Sequence, residues 1–247
     1  MRNIIFFALL FVFSSSFCFS ANLYHYQIEN AEKSFKEGNF SKSIEIYESL
    51  IKIEKVQDPY IYYNLSNAYY RNGDLGKAIL NIEKALKLAP RDKEIKNNMQ
   101  FLYSVVGHNQ ERTIIDIFLK HFTLNEITIL ASILLVLFLC VLSLFIIRKT
   151  SMVKHFLIFL VLVLFLCSCI LALKGCQEFT LKEAVILSSL STKSGPGDNN
   201  PEIFTVSEGK LVNIVAQSGD WINIKFKSNR KDLSGWIRNS DIGNINE

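Results

Sequence analysis

Two long apolar runs dominate the hydrophobic pattern of this chain. Residues 127–147 and 156–173 contain no charged side chain. The first run is about as long as a helix that crosses a bilayer, and the second is at the short end of that range. The connecting residues 148–155 include one arginine and two lysines. Because short loops rich in lysine and arginine stay in the cytoplasm, the pattern predicts a transmembrane hairpin whose flanking domains share the opposite side. The alternative is a helical hairpin buried inside a soluble domain.

A third apolar run lies at the N-terminus. Arg2 precedes the apolar residues 4–13, and three serines follow them. This order of basic, apolar and small residues is typical of a secretory signal. Residues 1–20 are therefore predicted to be a signal peptide, with cleavage after Ser20 or Ala21. If the leader is retained, it adds a third span with a cytoplasmic N-terminus, and the domain that follows still lies outside.

Between the leader and the first span, apolar residues recur at helical spacing. Residues 59–92 place small residues where two antiparallel helices must approach, with a turn at Gly73-Asp74 and with Pro90 ending the second helix. This segment resembles the tetratricopeptide repeat (TPR) family, and its period of 34 residues is that of the family. The resemblance implies an all-α array of helical repeats.

The repeat region is predicted to span residues 24–112. Residues 24–58 are a looser copy of the repeat, one residue longer, and a helix at 93–104 is predicted to cap the stack. Two and a half repeats are marginal for stability, because each repeat buries its apolar face only against a neighbour. Residues 113–126 are amphipathic and are predicted to link the stack to the first span along the outer membrane boundary.

The resemblance also indicates a candidate peptide-binding face, because the first helix of each TPR unit lines a concave groove in this family. Tyr63, Asn67, Tyr70 and Arg71 have the spacing of one helix face. Their asparagine and arginine side chains suit a peptide backbone or a carboxylate. Asn64 matches a position that clamps peptide termini in some family members. The alternative is that these are solvated tyrosines that cover a marginal stack.

After Gly175 the pattern changes from helical spacing to alternation. Short strands are predicted at 185–187, 211–216, 221–226 and 235–237. The motif order Ala-Val-Ile, Ser-Gly-Pro, Gly-Asp-Trp-Ile-Asn-Ile and Gly-Trp-Ile resembles the bacterial SH3-like family over residues 183–245. The resemblance implies a small all-β barrel, so the whole chain is predicted to be a multidomain membrane protein with helical repeats, a two-helix hairpin and this barrel.

Trp221 and Trp236 are the candidate binding residues of the C-terminal domain. Trp221 lies opposite Ile222 in the strand alternation, and Trp236 follows a glycine. Aromatic grooves in SH3-type barrels bind extended peptides, and the resemblance implies cell-wall peptides as ligands of the bacterial versions. The alternative is that both tryptophans belong to the core or the rim of the barrel.

The sequence shows no candidate catalytic, cofactor-binding or metal-binding residues. The four histidines are scattered, without a partner at a spacing suited to a metal, and no glycine-rich phosphate loop follows a predicted strand. Of the five cysteines, only Cys176 lies outside the leader and the apolar runs, so no disulfide framework is predicted. Cys176 is open to cross-linking or lipid modification, or is a free thiol. We therefore expect a non-enzymatic protein.

The charge pattern argues against nucleic acid as a partner. The net charge is only +4, and acidic and basic residues alternate through both extramembrane regions. Nucleic acid would require a concentrated basic stripe.

The order of the parts resembles that of the TPR-containing Bat (aerotolerance) proteins. These combine a signal peptide, TPR repeats, a transmembrane hairpin and an SH3-like domain. The resemblance implies a bacterial inner-membrane protein with both domains periplasmic. It also implies membrane partners of the von Willebrand factor A type and, indirectly, a MoxR-type ATPase.

Two functions are compatible with this order of parts. The first is a scaffold that assembles an envelope stress-tolerance complex through its repeats. The second is a cell-wall sensor or tether that binds peptidoglycan or a peptide through the SH3-like domain. An enzyme would need a composite site shared with another subunit.

Overall fold

The computed structural model describes residues 24–53, 55–107, 121–148, 150–180, 182–228 and 231–245. The predicted signal peptide and residues 113–120 of the predicted linker lie outside this part of the chain. The helices are α1 (24–36), α2 (Phe40–Lys52), α3 (Pro59–Asn72), α4 (Leu75–Leu88), α5 (Lys93–Val105), α6 (Leu124–Arg148) and α7 (Ser151–Thr180). The strands are β1 (Lys182–Ile186), β2 (Leu190–Lys193), β3 (Glu202–Val206), β4 (Leu211–Ser218), β5 (Trp221–Ser228), β6 (Lys231–Arg238) and β7 (Ile242–Asn244).

Helices α1 to α5 form two helix pairs and a fifth helix, as the repeat pattern predicts. The turns within the two pairs contain Gly38 and Gly73, with φ of +79° and +92°. Glycine adopts this left-handed conformation without the penalty that a Cβ imposes. Both helix pairs therefore have a glycine where the turn requires a left-handed backbone conformation.

Aspartates begin the first helix of successive units. Asp58 accepts a hydrogen bond from the N–H of Tyr60 at 2.8 Å. Asp92 accepts from the N–H groups of Glu94 and Ile95 at 2.9 and 3.0 Å. These caps satisfy backbone donors that have no partner within the helix. They set the starts of α3 and α5.

Small residues make the close approach between α3 and α4. The hydroxyl of buried Ser66 donates to the carbonyl of Ala78 at 2.7 Å. Ala68, Ala78 and Ala85 are fully buried, as the sequence predicts. Larger side chains fill the remaining core: Tyr47, Leu50, Ile61, Leu65, Ile79, Ile82, Ile95 and Leu102.

The C-terminal strands form an antiparallel sheet in the order β3-β2-β6-β5-β4-β1-β7. Within the described residues, β3 and β7 are the edges and do not pair with each other, so the sheet is open. Ile222, Ile224 and Phe226 are buried on one face of β5, as the alternation predicts. Strands β2, β3 and β7 were not predicted, because they are short and lack a clear alternation.

The sheet packs directly on α4. The N–H of Gly76 donates to the carboxylate of Glu208 at 2.6 Å. A Cβ added at Gly76 would lie 2.5 Å from the carbonyl oxygen of Leu187, which is closer than atoms can approach. The glycine therefore permits the backbone of α4 to touch the loop that follows β1.

Two glycines of the sheet domain in turn allow side chains of α4 to approach the sheet closely. Gly209 meets Ile79, and Gly243 meets Leu80, so closely that a Cβ on either glycine would overlap the isoleucine or leucine side chain. Beside them, Val185, Leu211 and Ile245 pack into the hydrophobic core of the repeats. The repeats and the sheet therefore share a hydrophobic cluster, and the sheet also has a core of its own around Ile186, Ile224 and Ile237.

Helices α6 and α7 are long and apolar enough to cross a membrane. Their apolar windows have a mean hydropathy of 3.2, and only 6% and 11% of these windows is buried. The hairpin packs through Val141, Leu157 and Leu160 near its turn. A helix in the core of a soluble domain would be mostly buried, so the exposure is consistent with two membrane spans.

Both helices are longer than their predicted spans. Helix α6 begins at Leu124, ahead of the predicted 127–147 span, and α7 begins at Ser151, inside the predicted loop 148–155. In the first turn of α7, Nδ1 of His155 contacts the carbonyl of Ser151 at 2.7 Å. Polar residues at the helix ends therefore continue the helical backbone beyond the apolar run.

The start of α6 is tied to the repeats. The N–H of Thr123 donates to Glu126 at 2.9 Å, and the N–H of Glu126 donates to the Thr123 hydroxyl at 3.2 Å, which is a capping box. The other carboxylate oxygen of Glu126 pairs with Arg91, whose guanidinium lies 5.8 Å from the Phe122 ring centroid. Lys174 of α7 donates to the carbonyl of Phe122. The apolar hairpin and the repeats are thus joined by polar contacts around Arg91 and Glu126.

The Gly76→Ala substitution is predicted to separate the sheet from α4. The added methyl group meets a backbone carbonyl that cannot rotate away, which typically costs about 1–3 kcal/mol. Hydrogen exchange of the detergent-solubilised full chain should become faster in β1 and β7. The control is Gly175→Ala, which adds a methyl group to a helical glycine whose new Cβ meets no atom within 4 Å apart from the adjacent helix backbone. Unchanged exchange in the Gly76 variant would contradict the packing.

Candidate functional site

The structure places three of the predicted binding residues in a row along α3 that faces α5. The Tyr63 hydroxyl donates to Oε1 of Glu94 at 2.9 Å. The Asn67 side-chain oxygen accepts a hydrogen bond from Asn98 at 2.8 Å. In both contacts the partner lies 31 residues further along the chain. The two helices therefore run side by side in a constant register.

The row ends in an aromatic contact. The ring of Tyr70 packs edge to face on Phe101, with 5.3 Å between ring centroids. Phe101 remains 45% exposed, and Val105, one turn further along α5, is also 45% exposed. The C-terminal end of this face therefore carries uncovered apolar surface.

Asn64 and Arg71 lie on the other edge of α3, toward the first repeat. Asn64 hydrogen-bonds Tyr47, whose pKa is raised to about 12 by burial and, to a smaller extent, by the charge of Glu32. The guanidinium of Arg71 lies 5.5 Å from the ring centroid of Phe40. The five predicted residues of α3 thus form two stripes. One stripe faces α5, and the other faces α2.

Sequence reasoning missed Tyr60 and its acidic partner at the other end of the face. The hydroxyl of Tyr60, which is 52% exposed, donates to Asp92 at 2.9 Å. Tyr24 donates to Asp58 at 3.3 Å in a comparable way one unit earlier. The spacing of 34 residues between the two aspartates was the available signal.

A pocket of about 240 Å³ lies against a different face of α3. It is lined by residues of α2, α3 and α4 and by Leu187 of the sheet domain. Within it, Glu48 accepts hydrogen bonds from Tyr69 and, at 2.8 Å, from Lys52. Lys77 lies 5.2 Å from the centroid of the Tyr69 ring. Glu48, Lys52 and Lys77 are therefore each engaged with a neighbouring side chain of the pocket.

These contacts shift the pKa values of Tyr69 and Glu48. Burial and the hydrogen bond to Glu48 raise the pKa of Tyr69 above its ordinary value. Burial alone would raise the pKa of Glu48, but the hydrogen bonds from Lys52 and Tyr69 outweigh it and lower that pKa. The folded state thus favours a neutral tyrosine beside an ionised glutamate.

Trp221 and Trp236 lie on one face of the sheet. Trp221 pairs with Arg238 across β5 and β6, and Asn223 pairs with Trp236. The two tryptophans are therefore diagonal neighbours on the same face, and both are half-buried. They lie opposite the buried face of β5 rather than in the core.

A loop folds against this tryptophan face. The guanidinium of Arg238 lies 5.4 Å from the Trp221 ring centroid. It also donates to both carboxylate oxygens of Asp198 at 2.7 Å. Asp198 belongs to the loop between β2 and β3, so the arginine links that loop to the aromatic surface. The arrangement suits a flat or extended ligand.

Across the described residues, no three histidine, cysteine, aspartate or glutamate side chains come together in a group that could hold a metal ion. The family model of the tetratricopeptide repeat matches residues 59–92. No curated protein matches the sequence closely enough to add a relative. The matched segment is α3, α4 and their flanking turns, and a repeat of this kind indicates protein–protein interaction.

The Tyr69→Phe substitution is predicted to reduce the loss of structure at alkaline pH. The pKa of Tyr69 is raised above its ordinary value of 10.0, so the folded state holds this proton more tightly than the unfolded state. Its stabilising contribution is therefore complete below pH 10 and is lost as the pH rises further. Circular dichroism at 222 nm from pH 9 to 12 checks this.

The matched control for this titration is Tyr26→Phe, because Tyr26 is 61% exposed. At neutral pH, Tyr69→Phe should destabilise the repeats by about 1–3 kcal/mol, because a buried hydrogen bond to a carboxylate is lost. Equal alkaline transitions in both variants and the unmodified protein would show that Tyr69 does not contribute.

Proposed function

We propose that this protein is a non-enzymatic, membrane-anchored scaffold that binds other proteins through the α3–α5 face of its repeats. The observation that carries the proposal is the surface formed where α3 and α5 run side by side. Its ends are the exposed side chains of Tyr60 and Phe101. The repeat match over residues 59–92 supports a protein as the ligand.

We further propose that the scaffold serves a Bat-type envelope complex. The order of its parts is similar to that of BatE, the TPR protein of the Bat clusters. In this proposal α6 and α7 span the bacterial inner membrane, both domains are periplasmic, and the C-terminal sheet is an SH3-like domain. The partners are von Willebrand factor A-type membrane proteins and, through them, a MoxR-type ATPase.

A crosslinking pull-down from native membranes tests the scaffold. The Tyr63→Ala/Asn67→Ala/Tyr70→Ala variant is expected to lose the membrane proteins that the intact protein recovers. Because all three side chains contact α5, hydrogen exchange of α5 must first show that this variant is folded. The pair Tyr60→Ala/Phe101→Ala changes the exposed residues at the two ends of the face, removes less internal packing, and should lose the same partners.

The control is Lys42→Ala/Glu45→Ala, since both side chains are exposed on α2, away from this face. Recovery of the same partner set by the control and by both face variants would contradict the scaffold proposal. The search would then move to the tryptophan face or to the spans.

A second candidate function, a tether to the cell wall, is favoured by the shared face of Trp221 and Trp236. If it is correct, the intact chain in detergent pellets with insoluble peptidoglycan, and Trp221→Ala/Trp236→Ala does not. The full chain is needed because one side of the sheet packs against α4. Ile203→Ala, an exposed residue on the edge strand β3, is the control. No pelleting of the intact chain would reject this function.

A further inference from the structure

One end of the α3–α5 face is acidic. Asp92 and Glu94 lie at the start of α5 and accept the hydroxyls of Tyr60 and Tyr63. Among the described residues, neither carboxylate has a lysine or arginine within salt-bridge distance. In the described part of the chain, no ion pair therefore neutralises these two carboxylates, although Asp92 also caps α5.

The pKa of Tyr60 reflects the same local negative charge. The hydrogen bond to Asp92 and the charge of that carboxylate raise the pKa of Tyr60, and Glu94 and Asp58 add to the shift more weakly. Three carboxylates thus act on one exposed hydroxyl. A cation brought to this end would be attracted by all three.

The other end of the face is aromatic and apolar. Tyr70 and Phe101 are in contact, and the uncovered parts of Phe101 and Val105 are adjacent on α5. Contiguous exposed apolar surface on one face is a common mark of a protein-binding site. This end suits a large apolar side chain.

The distance between the two ends defines the ligand. Tyr60 and Tyr70 are ten residues apart on α3, which corresponds to about 15 Å along a helix. An extended peptide covers that distance with about four or five residues. A ligand in this conformation could reach both ends at once.

The structure does not favour the carboxylate ligand that the asparagine and arginine side chains suggest from sequence. The side-chain oxygen of Asn67 accepts a hydrogen bond from Asn98, Asn64 is turned toward Tyr47, and Arg71 lies over Phe40. The charges directed at the α3–α5 row come from Asp92 and Glu94 instead. The α3–α5 face is therefore negatively charged at its polar end.

We propose, on the premise that this face is the assembly surface, that it binds an extended protein segment with a lysine or arginine and a large apolar residue. The two anchors are separated by about four or five residues. The cation lies at the Asp92–Glu94 end, and the apolar side chain lies against Phe101 and Val105.

Panning tests the pattern directly. A random 12-residue peptide library is selected on the full chain in nanodiscs, after depletion on the Tyr63→Ala/Asn67→Ala/Tyr70→Ala variant. The expected result is enrichment of peptides with a basic residue about five positions from an aromatic or large aliphatic residue. Enrichment of acidic peptides, of peptides without this pair, or of no peptides overturns the proposal.

The charge is tested with an enriched peptide and the variant Asp92→Asn/Glu94→Gln. Asparagine still caps α5, and both amides still accept the tyrosine hydroxyls, so the geometry is retained while two charges are removed. Binding is expected to weaken about threefold to tenfold at low salt and to lose most of its salt dependence. Glu45→Gln on α2 is the control and should bind as the intact protein does.

Equal affinity of this charge variant and the intact protein would overturn the proposed ligand chemistry. The membrane pull-down distinguishes this failure from that of the scaffold. If the face variants lose their partners but the peptides lack the basic–apolar pattern, the surface is right and its ligand chemistry is wrong. If the face variants keep all partners, the scaffold proposal itself fails.

Discussion

The packing of the sheet on α4 is the contact on which the arrangement of the repeats and the sheet depends. Gly76, Gly209 and Gly243 allow backbone and side chains to approach more closely than any other residue would. The contact also bears on the proposed membrane topology. If α6 and α7 both cross a bilayer, the two crossings return the chain to the side from which it started, as the contact between α4 and the sheet requires.

The helical repeats and the apolar hairpin could be predicted because each has a strong local pattern. The positions of Gly73 and Pro90 and the spacing of small residues are set by contacts within one repeat. The contact between the domains could not be predicted in this way. Gly76 lies in the first turn of an ordinary amphipathic helix. Glycine is required there because of contacts with loops more than a hundred residues later in the chain.

The candidate site was predictable in part for the same reason. Helical geometry alone places Tyr63, Asn67 and Tyr70 on one face. Their partners on α5 depend on how consecutive repeats stack, and the offset of 31 residues appears only once both helices are positioned. The acidic end was missed because Asp92 looks like an ordinary helix cap. It serves as a cap, and together with Glu94 it also sets the charge of the face.

The shared core has a consequence for how the protein is made. Helix α4 ends at Leu88, whereas β1 begins at Lys182, after both apolar helices. During synthesis the outer side of α4, with Ile79 and Leu80, is complete long before the strands that cover it exist. The repeats must therefore wait, with apolar surface uncovered, until α6, α7 and the C-terminal residues 182–245 have been made. This interval is the stage at which the newly made chain most needs protection from aggregation.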